Sequence, residues 1–115
     1  MKNLGFILAG IAMFVLVLKI YSQSKPVKMS ELLIKNPGVV IDVRTIDEWN
    51  SGHYKNALHL DWLNGDLKKE CANFDKSKTY YLYCAAGGRS GQATEYMKSL
   101  GFRNVVNLGG YSNLK

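Results

Sequence analysis

Cysteine is scarce. Cys71 and Cys84 are the only two, too few for a disulfide framework, and neither sits in a C-x-x-C or a histidine cluster of metal-binding spacing. No metal or cofactor is therefore expected. No Gly-Lys-Ser/Thr follows any of the glycines, which excludes a P-loop. Basic residues are scattered rather than clustered, so the chain lacks a nucleic-acid footprint. The formal charge of +6 falls to +4 without Lys2 and Lys19, leaving a mildly basic surface suited to small anionic substrates. Internal repeats and low-complexity linkers are absent too. At 115 residues there is room for one ordinary domain and not two.

Charge is also missing from the start of the chain. Leu4 to Leu18, "LGFILAGIAMFVLVL", is fifteen residues without a charged or strongly polar side chain. Lys2 precedes it, and Ser22 and Ser24 provide small residues beyond it, the layout of a signal peptide. With Lys19 snorkelling, Leu4 to Tyr21 gives eighteen residues, just inside the roughly 17–25 that a spanning helix needs. Residues 1–24 are thus expected to be a signal peptide or a membrane anchor, and residues 25–115 the folded domain. Either reading sends the protein out of the cytoplasm, to the periplasm or to the membrane of the cell envelope. No cysteine lies near the segment's end, so a lipoprotein-type attachment is excluded.

From about Val27 onward the pattern alternates between helical and strand-like stretches. Ser30 is placed to cap a short helix, "ELLIKN", that Pro37-Gly38 stops. "VVIDV" (Val39 to Val43) is a continuous β-branched run, as in a strand buried on both faces. Thr45 and Glu48 form a capping box for "IDEWNS", which Gly52 ends. "ALHL" (Ala57 to Leu60) predicts a brief strand, and "WLNGDLKKECANF" a helical or irregular crossover. "TYYLYC" (Thr79 to Cys84) predicts another strand. A helix follows from near Ser90, with Ala93, Tyr96, Met97 and Leu100 at core spacing and Gly101 as its stop. "NVVNL" predicts the last strand before Gly109-Gly110. Strands separated by helices argue for an α/β fold with a parallel sheet, whose ligands bind beyond the carboxyl ends of the strands. Cys84 occupies such an end.

After Cys84 the chain turns from aromatic to small: "CAAGGRSGQ". A thiolate is the nucleophilic form of cysteine, so a reactive cysteine needs its anion stabilised. Small residues from Ala85 to Gly88 let backbone N–H groups converge on one point. Gly87 and Gly88 supply backbone conformations that other residues reach only with strain. The helix starting near Ser90 turns its unpaired N–H groups and positive dipole end toward the turn. Arg89 adds a fixed charge. An ordinary buried cysteine in a strand-to-helix turn would need none of these together.

These residues carry a resemblance. "CAAGGRSGQA" resembles the active-site loop of the rhodanese family, C-x-x-G-x-R-S after a strand. "IDVRTIDEWNSGHYKNAL" (Ile41 to Leu58) is similar to the family's earlier D-V-R…E…G-H-I…G-A motif, and "LGFRNVVNLGGY" to its strand and double glycine. The three cover Met29 to about Tyr111 in order. The resemblance implies a five-stranded parallel sheet flanked by helices. It implies that Cys84 takes up a sulfane sulfur as a persulfide and passes it to a thiol or cyanide-like acceptor. The amides of Ala85, Ala86, Gly87, Gly88 and Ser90 would then hold the charged sulfur and the donor, and Arg89 would contact a small anionic donor such as thiosulfate. Related phosphatases and arsenate reductases resemble C-x5-R, a wider loop; Cys84 to Arg89 is C-x4-R, which favours sulfur over phosphate.

For other residues the expectations are structural. Asp42, at the end of "VVIDV", either supports the site or caps the next turn and pairs with Arg44. Arg44 and Glu48 are expected to pair around the short helix, and His53 to pack and orient. Asn56 stands where the family has glycine, and asparagine tolerates left-handed geometry. Cys71 is not expected to resolve a persulfide, and Tyr80, Tyr81 and Tyr83 read as core. The alternative to an enzyme is a rhodanese-fold interaction or redox-sensing module held at the membrane.

Overall fold

The structure, a computed structural model, describes residues 28–114. The apolar Leu4–Tyr21 segment and the boundary at residues 24 and 25 lie outside them. Among the described residues no helix is long and apolar enough to cross a membrane. The elements run α1 (Met29–Lys35), β1 (Val39–Asp42), α2 (Ile46–Asn50), β2 (Leu58–His59), α3 (Asp66–Glu70), a 3-10 turn (Cys71–Asn73), β3 (Thr79–Cys84), α4 (Gly88–Ser99), β4 (Asn104–Gly110) and a second 3-10 turn (Tyr111–Asn113).

The strands form one parallel sheet in the order β2-β1-β3-β4. The sheet has four strands rather than the five implied by the resemblance. Lys28 leads straight into α1, so no strand precedes that helix among the described residues. The other stretches between elements are loops, such as Asp75–Lys78 with its Ser77-to-Asp75 turn. The four strands are the four expected from the sequence, although "ALHL" shrinks to Leu58–His59.

Alternation along β1 and β3 divides the core in two. Ile41, Val43, Tyr80, Leu82 and Cys84 share a cluster with Leu67, Cys71, Ala93 and Met97, under α3 and α4. Val40, Tyr81 and Tyr83 pack on the other face with Met29, Leu108 and Leu114. Both faces of the strands are buried, as their unbroken apolar run requires. Cys84 therefore points toward the helix that follows it.

Local signals set most helix ends. The Thr45–Glu48 capping box forms as predicted, with both reciprocal bonds present. Pro37 disfavours helical geometry at Asn36, where α1 stops. Ser30, however, lies inside α1; the helix starts at Met29 with Lys28 as an N-cap that makes no side-chain bond. Burial of Met29 against Val40 and Tyr81 draws the first turn in earlier than capping chemistry alone would place it. In α4, Ala93 and Met97 are buried and Tyr96 partly so, but Leu100 is 36 % exposed. The buried stripe runs through Ser90, Ala93, Thr94 and Met97, and Leu100 falls at the C-cap, beyond the end of the helix at Ser99.

At the carboxyl end of β1, Asp42 is fully buried and pairs with Arg44. Arg44 Nη2 donates to Asp42 Oδ2 at 2.7 Å, Nε to both carboxylate oxygens, and the Arg44 amide to Oδ1. The remaining reach of Arg44 goes to the Gly52 carbonyl and over the rings of Tyr83 and Tyr111. The expected Arg44–Glu48 pair is absent from this arrangement: Arg44 turns to Asp42, two residues away on the same strand end. Asp42 shares its face with Val40 and Tyr83, opposite to Cys84, and its bonds to Arg44 hold the corner between β1 and α2.

A buried pair is costly to break from one side, since the surviving charge is left without a partner. Arg44→Ala should lower unfolding stability in urea by about 3–5 kcal/mol. A loss comparable to that of an exposed arginine would show that the pair does not carry this corner.

Candidate active site

The site lies beyond the carboxyl ends of β1 and β3, where α2 and α4 begin. β3 delivers Cys84 with its side chain in the helix-side core, and the residue is only 1 % exposed. Gly87 takes φ +100, bending the chain so that its N–H returns to Cys84 Sγ at 2.9 Å. Ser90, on the first turn of α4, brings its Oγ to 3.3 Å from Sγ. The amides of Ala86 and Ser90 also act on the sulfur. Burial is the largest single influence on the thiol and pushes its pKa up. The hydrogen bonds from the Ser90 side chain and from the Ser90, Ala86 and Gly87 amides together outweigh it, so the thiol is more acidic than an ordinary cysteine. Cys71 shows the contrast. There burial outweighs a single backbone hydrogen bond and the charge of Lys76 and pushes the thiol up, and its Sγ lies 3.8 Å from the Lys68 carbonyl.

The loop is seated on β4 by backbone packing. A Cβ on Gly110 would lie 2.6 Å from the Ala85 carbonyl oxygen, and one on Gly87 would lie 3.3 Å from Gly109 Cα. Gly110 pairs with Cys84 in the sheet register, after an irregularity that lets Tyr83 oppose Gly109 and leaves Leu108 over. The double glycine is therefore the surface against which the cysteine turn closes. Just before it, Asn107 Nδ2 donates to the Gly87 carbonyl at 3.1 Å, while its Oδ1 accepts from the Gly109 amide at 2.9 Å and from Ser90 Oγ at 2.6 Å.

Arg89 is engaged by Glu48 across the site. Its two terminal nitrogens donate to the two carboxylate oxygens at 2.6 and 2.9 Å, the bidentate geometry that suits guanidinium to carboxylate. Arg89 holds the Glu48 carboxyl down to about 2, with Thr45 helping through its amide and hydroxyl. The fork expected for an anionic donor is thus spent on tying α4 to α2, though its charge still lies near Cys84 and Asp61.

Around this centre the flanking residues take structural positions. His53 stacks flat on Trp49 with ring centroids 3.4 Å apart, its Nδ1 near the Trp49 carbonyl. His59 Nε2 lies 2.7 Å from the Arg44 carbonyl. Asp61 is buried and accepts from the Leu63 amide. Trp62 Nε1 donates to Gln92 Oε1, joining the segment after β2 to α4. Asn56 adopts φ +73, the left-handed conformation expected of it. Ala85, Ala86 and Gly88 are exposed at the rim.

The structure brings Gly87 N–H and Ser90 Oγ together at Cys84 Sγ, three residues that sequence reasoning takes from the one loop. That reasoning misses Asn107, the seat formed by Gly109-Gly110, and Glu48 as the partner of Arg89. Asn107 had a signal: it shares the parity of buried Val105, which sets it on the α4 side of β4, where it stays exposed. Glu48 had none beyond its local capping role, because its partner lies 41 residues away.

The family model described as "Rhodanese-like domain" matches residues 26–115. A Thiosulfate sulfurtransferase, GlpE, of Coxiella burnetii is 32% identical over 96 residues, covering 83% of this chain and 88% of that protein. YrkF of Bacillus subtilis, which carries a sulfur-carrier designation, is 30% identical over 69 residues, 60% of this chain; the chain spans only 36% of that relative. The solved structure described as "rhodanese with anions from E. coli" superposes with a TM-score of 0.61 at 32% identity, covering 67% of this chain and 91% of that one.

Because the Glu48 carboxyl lies near 2 in the folded protein and about 4.3 in an unfolded chain, its contribution is complete above about pH 4.5 and is lost as pH falls toward 2. Parent and Glu48→Gln proteins should therefore differ in stability at pH 7 and converge in acid. A difference that stays constant with pH would show that the Arg89 pair is not its source.

Proposed function

Since the chain belongs to the rhodanese-like domain family, we propose that it is a sulfurtransferase that carries a sulfane sulfur on Cys84. The observation that carries this reading is the sulfur cradle, in which Cys84 Sγ accepts from the Gly87 amide at 2.9 Å with Ser90 Oγ at 3.3 Å. The Cys84 thiolate attacks the terminal sulfur of a donor such as thiosulfate. A sulfur–sulfur bond forms to Sγ as the donor's own sulfur–sulfur bond breaks, and sulfite leaves with that electron pair. An acceptor, a thiolate or cyanide, then attacks the outer sulfur of the persulfide and regenerates the Cys84 thiolate. Covalent capture splits one transfer into two displacements.

The geometry bears on donor choice. With Arg89 neutralised by Glu48, recognition of the anion falls to the amides of Ala85, Ala86, Gly87, Gly88 and Ser90 and to the N-terminal end of α4. A cysteine only 1 % exposed suits a donor that presents its sulfur on a narrow end, as thiosulfate does. Asp42 acts at a distance by holding Arg44 and the start of α2 in place. The apolar Leu4–Tyr21 segment supports placing this transfer outside the cytoplasm, with the protein either released into the periplasm or retained at the membrane.

The full chain, solubilised with detergent where required, should release thiocyanate from thiosulfate and cyanide. Mass spectrometry after donor alone should find one added sulfur on the peptide containing Cys84. Cys84→Ala should reduce both to background. A parent protein that shows neither, or a Cys84→Ala protein that keeps turnover, would move the assignment to an interaction or redox-sensing module on the same fold.

A further inference from the structure

Ser90 has one hydroxyl proton and two acceptors within reach. Its Oγ lies 2.6 Å from Asn107 Oδ1 and 3.3 Å from Cys84 Sγ, and a hydroxyl donates only once. The orientation of the Asn107 amide is not free. Its oxygen faces the Gly109 N–H, which can only donate, and its nitrogen faces the Gly87 carbonyl, which can only accept. Flipping the amide would spoil both bonds, so Asn107 always presents an acceptor to Ser90.

From this geometry we propose that Asn107 is a positioning residue that takes the Ser90 proton whenever Cys84 Sγ is uncharged and yields it when the thiolate forms. In the thiol state the Ser90 O–H points to Asn107, leaving oxygen lone pairs toward the S–H. On ionisation the charged sulfur is the stronger acceptor, and the O–H turns to it. When Cys84 carries a persulfide, the charge sits on the outer sulfur and Sγ becomes a poor acceptor. The hydroxyl then returns to Asn107. Asn107 thus opposes ionisation of Cys84 through Ser90, while its second bond holds the Gly87 carbonyl and keeps the loop in place. Gly91 belongs to the same arrangement, since a Cβ there would press to 3.3 Å from Asn107 Nδ2. This deepens the sulfurtransferase reading and rests on Cys84 being its nucleophile.

Arg89 on α4 interacts with Cys84, and Glu48 on α2 and Asp61 after β2 act in turn on Arg89. The Asp42–Arg44 pair lies at the end of β1, and Cys71 is the only other thiol. All stay constant across the variants below. Iodoacetamide labelling of the full chain without any sulfur donor, followed by pH and read on the Cys84 peptide, measures thiol acidity independently of turnover. Asn107→Ala should move the half-point of labelling down by up to about one pH unit, a tenfold change in the thiolate ratio. Ser90→Ala should move it up, and adding N107A to S90A should then give no downward shift, since only the bond to the Gly87 carbonyl is left to lose. Thermal melting reports which variants fold. If N107A does not, Asn107→Asp replaces it; its upward shift should be larger with Ser90 present than in the S90A chain. An N107A half-point that is unmoved or raised, or shifts of equal size in the two backgrounds, would overturn the proposal. Loss of sulfur transfer with these shifts intact would refute the proposed activity alone.

Discussion

A sulfur anion held at the end of a buried strand must be hydrogen-bonded, because water cannot reach it and desolvation favours the neutral thiol. Much of the site's architecture answers that constraint. Gly87 takes a left-handed conformation to turn its N–H onto Sγ. Helix α4 starts at Gly88, early enough for the Ser90 hydroxyl and amide to face the sulfur. β4 ends in two glycines because the turn packs against bare backbone there. At Cys71, buried in the same core with one backbone hydrogen bond in place of several converging donors, burial wins and the thiol moves the other way.

The charges around the cradle are arranged in closed pairs. Asp42 and Arg44 satisfy each other on the α1 side of the sheet, fixed by the Gly52 carbonyl and the rings of Tyr83 and Tyr111. Glu48 and Arg89 satisfy each other on the α4 side and bridge α2 to α4. Neither pair leaves a bare guanidinium beside the sulfur, so attraction for an anion comes mainly from peptide dipoles. Such dipoles are fixed by the fold and are already oriented before any charge develops beside them.

Legibility followed the range of each interaction. The Thr45–Glu48 capping box, the stop before Pro37 and the left-handed Asn56 each depend on residues within a few positions, and each was readable. The place of Cys84 at the carboxyl end of β3 was readable for the same reason. Ser30 failed as a cap because packing of Met29 outweighed a local bond. Leu100 failed as a core residue because α4 ends at Ser99 and leaves it at the C-cap, past the buried stripe of Ser90, Ala93, Thr94 and Met97. The fifth strand came from resemblance rather than from any β-forming run in the described residues, and the sheet has four.

The chain by itself determined that a strand would end in a cysteine, turn through small residues and enter a helix, since propensity, parity and glycine placement are local properties. It also determined that the turn would favour an anion, because amides and a helix end follow from that path. Only the tertiary structure decided which charge meets which. Glu48 lies close to Arg44 in sequence yet closes on Arg89, 41 residues away. Asn107 reaches the cysteine turn because parallel pairing lays β4 beside β3. Long-range partner choice depends on how elements are stacked, and a linear pattern does not encode the distances that select between rival acceptors.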